Sequence, residues 1–142
     1  MTTFPAIPAL HECPKRGRQR VFALCGDIYY PDGSIVPRRF KTDGASRPWF
    51  LRHWLKKFGR GFAAFIKHDY DYAMRYTTRR EADELLKMLL GFYNFNTVEI
   101  WLIFQAVRKF GWISWSNNKR RKLYYFYCTE DELNNTNKND PT

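Results

Sequence analysis

Two short signatures constrain this chain more than any other feature: Thr78-Arg79-Arg80-Glu81 and Asn96-Thr97-Val98-Glu99 each place a capping side chain three residues before a glutamate. In that pattern the first side chain accepts from the backbone N–H of the third helical residue, while the glutamate reaches back to the N–H of the cap, so the start of a helix is pinned. The first signature predicts a helix with an apolar stripe of Ala82, Leu85, Leu86, Leu89 and Phe92 that runs to about Leu90 and stops at Gly91. The second predicts a helix over residues 97–110, closed by Gly111. Upstream, residues 62–75 read as another helix, ending near Arg75. A shorter one is expected over residues 49–57, with Ser46 as its N-cap and Pro48 in its first turn.

Before residue 42 the pattern is different. Val21-Phe22-Ala23-Leu24-Cys25, Ile28-Tyr29-Tyr30 and residues 35–40 read as strands, and Pro31-Asp32-Gly33-Ser34 is a turn signal between the last two. The expected fold class is therefore α+β, a small antiparallel sheet in the N-terminal half packed against a bundle of three to four helices. Residues 1–18, with Pro5, Pro8, Pro14 and Lys15-Arg16-Gly17-Arg18, read as an extended basic arm rather than an element. A single domain is expected over residues 19–128, with Leu123-Tyr124-Tyr125-Phe126-Tyr127 as a short strand or buried segment and residues 129–142 as a disordered polar, acidic tail.

Length and composition suit this reading, since 142 residues that are 44% hydrophobic and 18% aromatic can build a core. No apolar stretch approaches the roughly 20 residues that span a bilayer, and the N-terminus lacks a basic region followed by an apolar block, which predicts a soluble protein made in a cytoplasm. Cys13, Cys25 and Cys128 contain no C-x-x-C pair, so neither a disulfide framework nor a zinc module is indicated. The last fourteen residues set four acids against Lys138, a net of −3, so residues 1–128 carry +13 of a total +10. Such a field favours a polyanion: nucleic acid, an anionic lipid surface or the acidic polymers of a bacterial envelope.

Ala63-Ala64-Phe65-Ile66-Lys67-His68-Asp69-Tyr70-Asp71-Tyr72 turns abruptly from apolar to ionisable. Burying a charge without a partner is costly, so a cluster of this kind is paired, metal-bound or catalytic. On a helical wheel His68 and Asp69 share the face of Phe62 and Phe65, whereas Asp71 lies on the other flank and can pair with Arg75 four residues on. Asp83 falls at the edge of its helix's apolar stripe. It can form a surface pair with Arg79 or face His68 across a helical hairpin, and fifteen residues of separation place it nearer the level of Tyr72 than of His68. Asp43 and Ser46 are explained by turn and cap chemistry and are also within range of a site.

These residues resemble a family of bacteriophage and prophage proteins of unknown function. The resemblance rests on F-x-T-D-x-A-S-x-P (Phe40, Thr42, Asp43, Ala45, Ser46, Pro48), H-D-x-x-Y (His68, Asp69, Tyr72), R-x-x-A-D (Arg79, with Arg80 as the other candidate, Ala82 and Asp83) and A-V-R-x-F-G (Ala106, Val107, Arg108, Phe110, Gly111). It implies a phage origin, action in the host cytoplasm during infection or carriage in a virion, and a compact domain in which these polar residues gather. H-D-x-x-Y followed by A-D also resembles calcium-dependent phospholipases. That likeness implies His68 as the base that activates water, Asp83 as the carboxylate that orients it, Tyr72 as a supporting hydroxyl, and Asp69 as a ligand of calcium or another divalent cation, for which Asp43 is a further candidate ligand outside the likeness. Ser46 with His68 and Asp83 is the alternative arrangement, a nucleophile triad. Three readings stay open on sequence: a hydrolase acting on a lipid or bacterial-envelope bond, a structural or accessory phage protein held together by a His-Asp-Tyr network, and a basic binder of nucleic acid or of a virion or host protein.

Overall fold

The computed structural model describes residues 10–16, 19–42, 61–119 and 127–129. The chain gathers into two compact units, a β unit that holds the described residues up to 42 together with 127–129, and a helical unit that holds 61–119. The fold is α+β, as the sequence predicts.

In the β unit, β1 (Leu10–Arg16) pairs antiparallel with β2 (Gln19–Leu24), and β2 pairs in turn with β5 (Lys41–Thr42), giving a three-stranded sheet in the order β1-β2-β5. β3 (Ile28–Tyr29) and β4 (Ile35–Val36) make a separate two-stranded hairpin. Its register, Ile28 opposite Val36 and Tyr29 opposite Ile35, buries the first pair and exposes the second, the period of two expected of a one-faced hairpin. The Asp32 carboxylate accepts from the Ser34 backbone N–H at 3.1 Å and from its hydroxyl at 2.6 Å, and Gly33 supplies the positive φ of 82°.

Two sequence expectations change here. Residues 10–16, read as part of an extended arm, are a strand, because a ladder to β2 satisfies backbone groups that an arm would leave to water. Residues 35–40 are not one strand either. Pro37 has no N–H to offer a ladder and Arg39 takes a left-handed φ of 74°, so the chain turns and pairing resumes at Lys41. Arg39 is held in that conformation on both sides: its N–H donates to the Leu24 carbonyl at 2.7 Å, its Nε donates to the Cys128 carbonyl at 2.7 Å, and its own carbonyl accepts from Cys128 N–H at 2.8 Å. Tyr127 bridges Phe40. The rest of the expected 123–127 segment, the 49–57 helix and the tail beyond Thr129 lie outside the described residues.

The helical unit contains α1 (Phe62–Met74), α2 (Arg79–Phe92) and α3 (Thr97–Lys119), each packed on the other two. Residues 63–68 are buried without interruption, so α1 is the most enclosed of the three. It ends at Arg75, whose left-handed φ of 57° turns its N–H onto the Asp71 carbonyl at 2.9 Å. Both capping boxes are present: Thr78 accepts from Glu81 N–H and Glu81 reaches back to Thr78 N–H at 2.7 Å, while Asn96 and Glu99 exchange the same two bonds at 2.9 Å each. The bonds from Thr78, backbone first and side chain second, hold the Glu81 carboxyl below its ordinary range.

The predicted stops at Gly91 and Gly111 are both overrun. α2 continues through Gly91 to Phe92, and the left-handed position is taken by Asn94 at φ 63°. α3 continues through Gly111 to Lys119, which places Trp112 and Trp115 on the helix rather than beyond it. Gly111 serves packing instead of termination: a Cβ there would lie 2.5 Å from Tyr72 Oη and 3.3 Å from two of its ring atoms.

Candidate active site

α1 and α2 form the hairpin that brings the sequence-predicted residues together. His68 and Tyr72 are four apart on α1 and therefore on one face, and Asp83 lies in the second turn of α2, facing them. His68 Nε2 is 2.8 Å from Asp83 Oδ1, and the Tyr72 hydroxyl donates to the same oxygen at 2.6 Å. The carboxylate thus serves both levels of α1, where the fifteen-residue spacing suggested Tyr72 more than His68. The imidazole and the Tyr72 ring lie 4.1 Å apart.

Asp83 is 0% exposed, yet it carries a charge. Burial pushes its carboxyl up, but the bonds from His68, Tyr72 and Arg108, in that order, outweigh it and hold the group below the ordinary aspartate range. Arg108 donates to Oδ2 at 2.7 Å from α3, and Arg79 stands 3.9 Å from the same oxygen. Arg79 is in turn fixed by donating to the Arg108 carbonyl at 3.1 Å. A surface pair of Asp83 with Arg79 is therefore the weaker of the two sequence readings. The Tyr72 hydroxyl is pushed far above its ordinary value, first by burial and then by the bond and the charge of Asp83, against a smaller opposing effect of Arg79, so it stays protonated and donates to Asp83.

Oδ1 of an ionised Asp83 accepts from Nε2, so that nitrogen bears a proton, and an imidazole with one proton would have its lone pair on Nδ1. Among the described residues no hydrogen bond is made to Nδ1, and 8% of His68 remains exposed. A histidine with one nitrogen bound to a buried, ionised carboxylate and no partner among the described residues at the other has the polarity that a general base requires.

Arg108 is the functional residue that sequence reasoning left in a motif without a role. The signal was present: a carboxylate at the edge of an apolar stripe requires a cation, and Arg108 sits one residue after the buried Val107 on a helix predicted to pack nearby. Asp71 also changes partner. It is buried and bonds Lys67, four residues before it, not Arg75. Arg75 instead donates to the Trp115 carbonyl at 3.1 Å and lies 4.2 Å over the Trp115 indole, which in turn meets Tyr72 edge-on at 5.2 Å. The extension of α3 past Gly111 supplies that lid on Tyr72.

Asp69 is half-buried and is not among the partners of Asp83. Among the described residues no group of three or more His, Cys, Asp or Glu is placed to hold a metal ion. Asp43 and Ser46, the further candidate ligand and the alternative nucleophile, lie outside the described residues. No helix of the described residues is long and apolar enough to cross a membrane.

The chain belongs to the family described as Protein of unknown function (DUF1353), which matches residues 20–107. No curated protein and no solved structure matches it.

Proposed function

We propose that this member of the DUF1353 family is a phage-encoded hydrolase that cleaves a lipid or bacterial-envelope bond, with His68 as general base and Asp83 as the residue that orients it. The observation that carries the reading is the 2.8 Å contact between His68 Nε2 and an Asp83 kept ionised inside the helical unit. Nδ1 takes a proton from water as the water oxygen bonds to the substrate carbonyl carbon. The imidazolium formed is stabilised by Asp83, and the same proton passes to the leaving oxygen or nitrogen as its bond to the carbonyl carbon breaks. Tyr72 and Arg108 hold the carboxylate so that Oδ1 stays in line with Nε2. The phage origin and substrate class are supported by the likeness of the motifs, and by a basic chain suited to an anionic envelope. No step is assigned to a divalent cation.

His68→Ala tests this directly. Release of fatty acid from phospholipid vesicles, or of soluble fragments from purified envelopes, should disappear while circular dichroism shows the variant still folded at the assay temperature. Failure of the parent protein to turn over either substrate would overturn it.

A second reading is favoured by one observation: Asp83 accepts bonds from α1 and α3 at once and so ties all three helices together. In a non-enzymatic phage accessory protein the same network would only hold the fold, and His68→Ala would then lower stability by about 1–3 kcal/mol with no activity to lose.

A further inference from the structure

The face of α3 turned away from the core carries an apolar and aromatic stripe that the hydrolase reading does not use. Val98, Trp101, Leu102, Trp112 and Ile113 are all exposed, Trp101 at 58% and Trp112 at 57%, and Gln105, Lys109 and Ser116 fall between them on the same stripe. Their spacing alternates between three and four residues, which keeps them on one side of the helix over about 27 Å. Ile103 and Val107 occupy the opposite, buried side, with Arg108 at its margin. Exposed tryptophans in pairs are costly to leave in water, and a patch of this extent marks a binding surface.

Charge selects the occupant. Residues 100–119 hold Arg108, Lys109 and Lys119 and no aspartate or glutamate, and the sequence continues as Arg120-Arg121-Lys122. Cations near a helix C-terminus suit its dipole, but that accounts for neither Trp101 nor Trp112. A second copy of the chain would bring another +10 to a stripe that already has Lys109 near its middle. A stripe of Trp, Leu, Ile and Val with Lys109 near its middle, followed in the sequence by a basic run, matches a helix lying in the plane of an anionic bilayer, indoles at the headgroup boundary and cations at the phosphates.

We infer that the outward face of α3 is a docking surface for anionic phospholipid membranes, with Trp101 and Trp112 as the inserting side chains. The surface is separate from the His68–Asp83 pair and does not depend on it.

Flotation with vesicles of phosphatidylcholine alone, and of phosphatidylcholine with phosphatidylglycerol, tests the inference. The full chain should float with the anionic vesicles, with tryptophan emission shifted to the blue and quenched by lipids brominated along the acyl chain. Trp101→Ser with Trp112→Ser, both at exposed positions, should keep the parent's circular dichroism and weaken vesicle binding by about tenfold or more. His68→Ala should bind as the parent does, so a failed hydrolase assay leaves this result intact. The inference is overturned if anionic vesicles do not retain the protein, or if the double variant binds equally well. It is also overturned if the double variant instead dissolves a dimer, or if the tryptophans prove to be needed for DNA or RNA rather than lipid.

Discussion

Replacing Asp83 with alanine should be the most damaging single change in the helical unit. The substitution leaves the Nε2–H of His68, a residue 8% exposed, and the hydroxyl of Tyr72, a residue 3% exposed, without their acceptor. Each buried donor left unmet costs about 1–3 kcal/mol. Arg108 loses its partner too, but its side chain is 33% exposed and can turn to water, so its share is about 1 kcal/mol or less. Loss of a buried charge removes a desolvation penalty that acts in the other direction, yet breaking a buried pair at one partner still costs about 3–5 kcal/mol. A destabilisation of about 4 kcal/mol is therefore expected, a large share of the roughly 5–15 kcal/mol that holds a domain together. Asp83→Asn keeps one oxygen for His68 and Tyr72 and opposes its NH2 to the half-exposed Arg108, so about 1–2 kcal/mol is expected. Urea unfolding at neutral pH, followed by tryptophan fluorescence, measures both. A loss below about 1 kcal/mol for Asp83→Ala, or equal losses for the two variants, would refute the idea that Oδ1 serves two buried donors.

The other expectations follow from the same geometry. Because the Asp83 carboxyl is held below its unfolded value, its contribution to stability is present above about pH 4 and lost as pH falls through the folded value, so acid unfolding should be shallower in Asp83→Asn than in the parent. Tyr72 is raised, so its contribution is present below about pH 10 and declines as pH rises above that; absorbance titration should show its phenolate appearing only with unfolding, and a normal titration would contradict its burial. Gly111→Ala should cost about 1–3 kcal/mol despite the better helix propensity of alanine, because its Cβ would meet Tyr72 Oη at 2.5 Å; in a Tyr72→Phe background most of that cost should vanish, and a cost that persists would locate the clash elsewhere.

Helix starts were legible in the sequence because a capping box is a local chemical device: Thr78 with Glu81 and Asn96 with Glu99 need nothing beyond four consecutive residues. The end of α1 near Arg75 was legible too, but those of α2 and α3 were not. A glycine reads as a stop, yet Gly91 and Gly111 are both helical, and the reason for Gly111 lies in a tyrosine thirty-nine positions away. The pairing of His68 with Asp83 was visible as two faces of a hairpin, since both positions fall where polar residues meet an apolar stripe. Arg108 escaped because its target is on another helix, and no period or spacing links residue 108 to residue 83. The partner of Asp71 was misjudged for a related reason: Lys67 and Arg75 are equally placed at four residues on either side, and only the burial of Lys67 decides between them.

The division of labour within the Asp83 carboxylate brings the catalytic and structural readings closer together. Oδ2 faces α3 and is held by Arg108, while Oδ1 faces α1 and is shared by Tyr72 and His68. A carboxylate neutralised on one oxygen by a fixed cation cannot rotate away from the imidazole on the other, and Tyr72 adds a second restraint at the oxygen His68 uses. Gly111 belongs to this arrangement, because it admits the Tyr72 ring against α3, and so does Trp115, which closes over that ring with Arg75 stacked on its indole. The parts that tie the helices together are thus the parts that hold Nε2 in place and leave Nδ1 as the nitrogen with a lone pair. The base proposed at His68 needs a rigid support, and the buried charge that joins the helices is the same charge that would orient it.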